Sequence, residues 1–257
     1  MISVDEDKDN LLQDEEVLKI ISDARFEVII NSHSRGFVSN FQNGLLRLLA
    51  NENVWYFVCS DQDDEWGLNM LEIQSQRIRN CPSGSLVFCD LAVQKVLGND
   101  RREIFHESIW KAERRNVTMS DPRSVLFRNL VSGASGMFDR HLAEQCLPFP
   151  SWIKFHDHFL AVKAALCGGL YPIYESLYSY NQHGENVVGG STFTGVFSSR
   201  NQSRLKLEEK YKYLKLWMSY EKINPPSLLI LLNPCLFYKD PGLYRSYLGY
   251  FLGKYFG

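Results

Sequence analysis

No Cys-x-x-Cys pair occurs in this sequence of 257 residues, although it contains six cysteines. Pairs at that spacing are typical of zinc sites and of dithiol redox sites. Several of the six cysteines lie within apolar runs, where cysteine behaves as a small hydrophobic residue. The pattern therefore predicts a protein of a reducing compartment.

Long apolar runs are also missing. The longest run in the C-terminal part, Leu228–Leu232, lies between prolines and is far shorter than the ~20 apolar residues that a membrane-spanning helix needs. The start of the sequence, Met1–Asp7, has neither the basic residues nor the apolar stretch of a secretion signal. We therefore expect a cytoplasmic globular protein without a transmembrane segment.

The net charge of -2 conceals two regions of opposite sign. From Arg200 onward the sequence has ten Lys or Arg and four Asp or Glu, so this region is basic and the preceding one is acidic. A basic region suits an anionic membrane surface or an acidic partner, although a solvated helix face is the simpler interpretation. The aromatic stripe Tyr244, Tyr247, Phe251 and Tyr255 could likewise lie at the inner face of a membrane. Packing of this stripe on the rest of the protein is the favoured alternative.

Strands and helices alternate along the first two thirds of the chain, which predicts an α/β fold with a largely parallel sheet covered on both faces. Residues 98–124 are charged and poorly periodic, and we expect them to form a loop or a mobile insert on the surface. The predicted strands are Met1–Val4, Phe26–Ile30, Trp55–Cys59, Ser85–Cys89 and Leu170–Ile173, and the predicted helices are 11–24, 40–50, 68–80, 159–167 and 204–223.

Three carboxylates follow the predicted strand Trp55–Cys59. Asp61 and Asp63 alternate in an extended segment, so both could face one hard cation, Mg²⁺ or Mn²⁺, which in turn would bind phosphate oxygens. Asp64 would point elsewhere. Capping of a helix that begins near Leu68 is the competing interpretation, and it is the favoured one when these acids are considered alone.

A second chemically informative segment is His156-Asp157-His158, which precedes an apolar helix. Asp157 could act as a general base or could cap the helix. A metal site formed by His156, His158 and His183 is a third possibility, although cysteine or histidine partners at zinc-like spacing are not nearby.

Taken together, these segments resemble the family 2 glycosyltransferases, and in particular their bacterial rhamnosyltransferase-like branch. The resemblance covers about residues 1–190. It depends on Gly36-Phe37 with Asn40-Phe41, Asp61-Gln62-Asp63-Asp64 with Trp66, Asn129 with Gly133, His156-Asp157-His158, and Gln182-His183-Gly184 with Asn186 and Gly189.

The resemblance implies a GT-A fold over residues 1–195, with a mostly parallel sheet, followed by a basic, aromatic helical extension over 196–257. It also implies metal-dependent, inverting transfer of a sugar, such as rhamnose, from a nucleotide-diphosphate donor to a surface polysaccharide. Asp63 would bind the cation directly, and Asp61 would help to hold the ribose or the cation. His183 would approach the cation-bound diphosphate, and Asp157 would be the base.

The remaining site residues are also carried over from the resemblance. The nucleotide sugar would contact Asp5, Glu6, Asn40, Asp61, Gln62 and Asp64, and the glycan or lipid-linked acceptor would contact Trp66, Gly133 and His156.

The sequence departs from the family pattern at three places. Met1 falls within the second strand of the family, so the first strand and helix are missing and the fold is expected to be N-terminally truncated. Met70 stands where the branch usually has Lys, and Asn181 stands where it usually has Arg, so a phosphate contact is lost. The alternative hypothesis is therefore a degenerate glycosyltransferase without activity that acts at most as a scaffold.

Overall fold

The structure, a computed structural model, describes residues 1–4, 15–31, 36–97, 101–118, 122–167, 169–182 and 200–256. The described part is an α/β protein, as predicted. Its strands are β1 (Ile2–Val4), β2 (Val28–Ile30), β3 (Tyr56–Val58), β4 (Glu65–Trp66), β5 (Leu86–Leu97), β6 (Arg101–His106), β7 (Gly136–Asp139) and β8 (Leu170–Gln182).

The helices cover the sheet and form the C-terminal extension. They are α1 (Glu15–Ile21), α2 (Phe37–Leu49), α3 (Met70–Ile78), α4 (Ile109–Ala112), α5 (Pro122–Phe127), α6 (Arg140–Cys146), α7 (His156–Leu166), α8 (Arg200–Tyr220), α9 (Pro234–Lys239) and α10 (Pro241–Phe256), with 3-10 turns at Gly133–Ser135 and Leu228–Leu232.

The central sheet is mixed, which corrects the expectation of a mostly parallel sheet. Its strand order is β3-β7-β5-β8-β4, and β6 pairs with β5 outside this path. Only the pairing of β5 with β8 is parallel within this six-stranded sheet of the described residues. The parallel order was predicted from the alternation of helices and strands, but β7 inserts antiparallel between β3 and β5.

Two strands extend far beyond their apolar segments. β5 has 12 residues and β8 has 13, and they pair from Leu86 opposite Leu170 to Lys95 opposite Gln182. β6 returns antiparallel along the far half of β5. The expectation of a loop over 98–124 is therefore wrong, since this region contains β6, α4 and part of α5.

β1 and β2 form a separate parallel pair. Among the described residues, no strand pairing joins this pair to the six-stranded sheet. Asn40 of α2 holds β1 in place, because its side-chain amide donates to the carbonyl oxygen of Ser3 at 3.0 Å and its oxygen accepts from the Ser3 hydroxyl.

The C-terminal extension packs on the rest of the protein. Trp217 of α8 is fully buried against Trp152 and Phe159, with ring centroids 5.1 and 5.2 Å away. Tyr247 stacks on Phe127 at 4.4 Å and Phe251 is also buried, so these two members of the predicted aromatic stripe face inward, as the favoured alternative had it. Tyr244 is half-buried and Tyr255 is exposed. None of the helices in the described ranges is both long enough and apolar enough to cross a membrane.

Candidate active site

The segment that carries Asp61, Asp63 and Asp64, here named the acidic loop, lies between β3 and β4. It does not cap a helix. Helix α3 begins at Met70, and Asn69 occupies the position before it. The acids are separated from α3 by β4, which pairs with β8. Capping, the favoured interpretation of the three acids alone, is therefore wrong, and their clustering needs another explanation.

Three segments that are distant in sequence meet beside Gly133. A Cβ atom added at Gly133 would lie 3.5 Å from Asp61 Oδ2 and 3.6 Å from His156 Cε1. The missing side chain therefore leaves a small space between the carboxylate of Asp61 and the imidazole of His156. A glycine at this point lets a ligand approach the backbone closely.

A set of hydrogen bonds fixes the turn that carries Gly133. The backbone N–H of Ser132 donates to the Ser135 hydroxyl at 3.0 Å, and that hydroxyl donates to the Ser132 carbonyl at 2.9 Å. The fully buried amide of Gln74, on α3, donates to the Ser135 carbonyl at 2.7 Å. Gln74 thereby helps to hold the turn in place, a role that no pattern in the sequence indicated.

Asp157 lies in the first turn of α7, where the positive end of the helix dipole favours a carboxylate. It is not the N-cap, since Phe155 occupies that position. Its Oδ2 accepts a hydrogen bond from Asn129 Nδ2 at 2.9 Å, and its Oδ1 accepts one from the backbone N–H of His158 at 2.7 Å. Asn129 is itself held by the Val131 N–H at 3.1 Å.

Burial raises the pKa of Asp157 to about 6, and the charge of Asp61 adds to the increase, although the two hydrogen bonds oppose it. The pKa of Asp61 is also raised, first by desolvation of its carboxyl and then by the charge of Asp63, although the residue as a whole is exposed to solvent. Burial, Asp61 and Asp157 together raise the pKa of the Cys59 thiol, which excludes a thiolate nucleophile there. Both carboxylates thus act on the same buried thiol.

His156 is 4% exposed, and neither of its ring nitrogens has a hydrogen-bond partner within the described part of the chain. Its ring packs against Phe41 with centroids 4.2 Å apart. Burial lowers the pKa of His156 to about 4, so the imidazole is neutral at pH 7. A buried imidazole that has unmatched polar atoms and faces the Gly133 space could bind a hydroxyl group.

The other acids of the loop lie near the end of β8. The side-chain amide of Asn181 donates to the Asp63 carbonyl at 2.6 Å and so holds the loop against β8. Burial and the charges of Asp64, Asp63 and Asp61 raise the pKa of Tyr180 to about 12. Asn181, which departs from the family pattern, therefore has a structural role.

The structure places several predicted site residues away from this cluster. Asn40 binds β1, and the exposed Gln62 lies at the turn of the acidic loop. Trp66 lines a groove of about 730 Å³ along β3 and α3, but the residues that line this groove include neither Asp61 nor Asp157. Asp5, Glu6 and His183 lie outside the described residues.

The described residues do not form a complete cage for a cation, because no group of three His, Cys, Asp or Glu side chains gathers among them. Asp61 and Asp63 nevertheless lie close enough that the charge of Asp63 adds to the effect of desolvation in raising the pKa of Asp61. This donor set fits Mg²⁺ or Mn²⁺, since Mg²⁺ is often bound by one or two carboxylates together with substrate phosphates. A metal site formed by His156, His158 and His183 is less well supported, because His158 Nε2 already forms a hydrogen bond with the Val125 carbonyl at 2.9 Å.

In comparisons with known proteins, no family model matches the chain, and no curated protein sequence matches it either. The fold and the side chains that meet beside Gly133 are therefore the features that indicate a function for this protein.

Proposed function

We propose that the protein is a metal-dependent, inverting glycosyltransferase of the GT-A type. It would transfer a sugar, such as rhamnose, from a nucleotide-diphosphate donor to a glycan or lipid-linked glycan of a surface polysaccharide. The observation that carries the proposal is the meeting of Asp61 and His156 beside Gly133, next to Asp157, the carboxylate with a raised pKa.

Asp157 is the proposed general base. With a pKa of about 6 it is mostly ionised at pH 7, yet it holds a proton more strongly than an ordinary aspartate. Asn129 and the His158 N–H orient the carboxylate, so its remaining lone pairs are available to an acceptor hydroxyl. Loss of that proton makes the hydroxyl oxygen a nucleophile toward the anomeric carbon of the donor.

Asp63 and Asp61 would hold the cation. When bound, the cation would supply positive charge that neutralises the departing nucleoside diphosphate. The two carboxylates repel each other without it, which is why the charge of Asp63 raises the pKa of Asp61. Inversion requires the acceptor and the leaving group on opposite faces of the sugar, and we assign the acceptor side to Asp157 and the leaving-group side to the acidic loop.

His156 and the Gly133 space form the proposed acceptor end of the site. A neutral imidazole can donate one hydrogen bond and accept another, which matches a sugar hydroxyl. Gln62 and Asp64 remain the proposed donor contacts of the loop. We place the enzyme at the inner face of a cell membrane, where lipid-linked acceptors are found.

Calorimetric titration with uridine and deoxythymidine diphosphates, with and without Mn²⁺, tests the donor site. We expect binding that requires Mn²⁺ and that Asp63→Ala abolishes, because that substitution removes a cation ligand. Glu52→Gln is the matched control, since it removes an exposed carboxylate outside the cluster and should leave binding unchanged.

Absence of binding in a folded, monodisperse sample would refute the active-enzyme proposal and favour a degenerate scaffold. Binding that is equally strong without Mn²⁺, or equally strong in Asp63→Ala, would refute the assigned role of the acidic loop.

A further inference from the structure

The extension exposes an apolar surface around the 3-10 turn Leu228–Leu232. Leu228, Leu229 and Leu232 of the 3-10 turn are 51%, 70% and 76% exposed. The other two members of the run, Ile230 and Leu231, are partly buried against the core. Because residues three apart lie on the same side of a 3-10 helix, Leu229 and Leu232 project together.

Aromatic side chains enlarge this surface. Phe237 is 51% exposed and Tyr238 is 69% exposed. The Phe237 ring lies 5.3 Å from that of Tyr238 and 5.2 Å from that of Tyr244, so the three rings form one cluster. The 3-10 turn packs on α9 and α10, which brings the leucines and the rings into one structural unit. We name the three leucines with Phe237 and Tyr238 the leucine-aromatic surface.

The charge of the region that carries this surface is strongly one-sided. Four cations, Lys222, Lys239, Arg245 and Lys254, lie between positions 222 and 256, and all of them are exposed. The single acid of this segment, Asp240, is 1% exposed and forms an ion pair with Arg128. The segment therefore offers solvent exposed leucines, aromatic rings and positive charges, but no exposed carboxylate.

We propose that the leucine-aromatic surface binds the interface of an anionic lipid bilayer. Leucine and aromatic side chains would enter the headgroup region, and the four cations would pair with lipid phosphates. A second copy of the chain is a poorer occupant, because a two-fold interface would bring the same cations face to face. The proposal rests on the proposed function for the place of action, but its test does not require sugar transfer.

Flotation of the full chain with vesicles measures this binding directly. One set of vesicles contains phosphatidylcholine alone, and a second set also contains about one third phosphatidylglycerol. We expect binding to the anionic vesicles that weakens at high salt, because dissolved ions screen the attraction between the Lys and Arg side chains and the lipid phosphates. The double variant Leu229→Gln with Leu232→Gln should reduce the partition coefficient at least about tenfold.

Two further variants distinguish the contribution of the cations from the general effect of losing an exposed aliphatic side chain. Lys222→Gln with Lys239→Gln should reduce binding to anionic vesicles about tenfold or more, because each cation near such a surface favours binding. Ile104→Gln, at a residue that is 60% exposed on β6, is the matched control for loss of an exposed aliphatic side chain and should bind as the parent does. Thermal unfolding of every variant verifies that the fold is kept.

Equal binding by the parent and the leucine variant would overturn the proposal, as would failure of the folded parent to bind anionic vesicles. Self-association that the leucine variant abolishes, without vesicle binding, would assign the surface to a second copy and would also overturn it. Vesicle binding without nucleotide binding would support this proposal while refuting the proposed transferase activity.

Discussion

Asp157→Asn is expected to make the protein more stable at neutral pH. The folded-state pKa of Asp157 is about 6 and the ordinary value is 3.8, so the folded protein binds this proton more tightly than the unfolded chain does. For a carboxyl with a raised pKa, stability is lost as the pH rises from about 4 to about 6 and stays lower above that range. Two pKa units correspond to at most about 3 kcal/mol.

The asparagine side chain recovers only part of this free energy. Both oxygens of Asp157 accept hydrogen bonds, from Asn129 and from the His158 N–H. The amide of the new asparagine places its NH₂ group against one of these two donors. Asn129 cannot present its own oxygen to that NH₂ group, because rotating its amide would break the hydrogen bond from the Val131 N–H. A lost hydrogen bond costs about 1 kcal/mol, so the expected gain at pH 8 is about 1 to 2 kcal/mol.

Urea unfolding of the parent and of Asp157→Asn at pH 8 and at pH 4.5, near the lower end of the predicted transition, measures this gain. The difference between the two proteins should shrink or change sign at the lower pH, because the parent then carries a protonated Asp157. Other titrating groups, His156 among them, affect both proteins and largely cancel in that difference. If the difference is the same at both pH values, the raised pKa is refuted. Glu52→Gln, at an exposed carboxylate, should show no such pH dependence.

Three further predictions concern other residues. Gly133→Ala should leave the melting temperature nearly unchanged, because the new methyl meets its neighbours at 3.5 Å or more, but it should abolish sugar transfer to the acceptor, measured as release of the nucleoside diphosphate, by filling the space beside His156. His156→Gln should remove a stability loss of at most about 3 kcal/mol between pH 6.5 and 4, measured by urea unfolding, because a histidine whose pKa is lowered to about 4 resists protonation in the folded state. Gly242→Ala should destabilise the fold by about 2 kcal/mol in the same assay, because its methyl would overlap the Arg128 guanidinium, whereas Gly44→Ala, with contacts of 3.8 Å, should not.

The local elements of this fold were largely predictable, but their pairing was not. Phe57 and Phe88 lie in short apolar runs, and such runs identify buried strands from sequence alone. The direction of pairing depends on contacts between distant segments, and the antiparallel insertion of β7 leaves no periodic signal. β6 was missed because Arg101, Arg102 and Glu103 do not alternate with apolar residues.

In the candidate site, too, the local features were predictable from the sequence and the contacts between distant segments were not. The acidic loop and Asp157 were identified because each is a compact group of chemically active residues after an apolar strand or before an apolar helix. The space between Asp61 and His156 depends on the absence of a side chain at Gly133, and the sequence does not show which side chains surround that glycine. Gln74 could not be found, since a single glutamine on an amphipathic helix is ordinarily exposed.

The extension contributes to the site even though it supplies none of the clustered side chains. Trp217 of α8 packs on His158 at 5.8 Å and on Phe159 at 5.2 Å, which are the two residues that follow Asp157 in α7. His158 is also held by the Val125 carbonyl. The first turn of α7, which carries the proposed base, is therefore held by packing against the same extension that carries the leucine-aromatic surface. Because both belong to one packed unit, binding of that surface to a bilayer would also fix the height of Asp157 above the lipid.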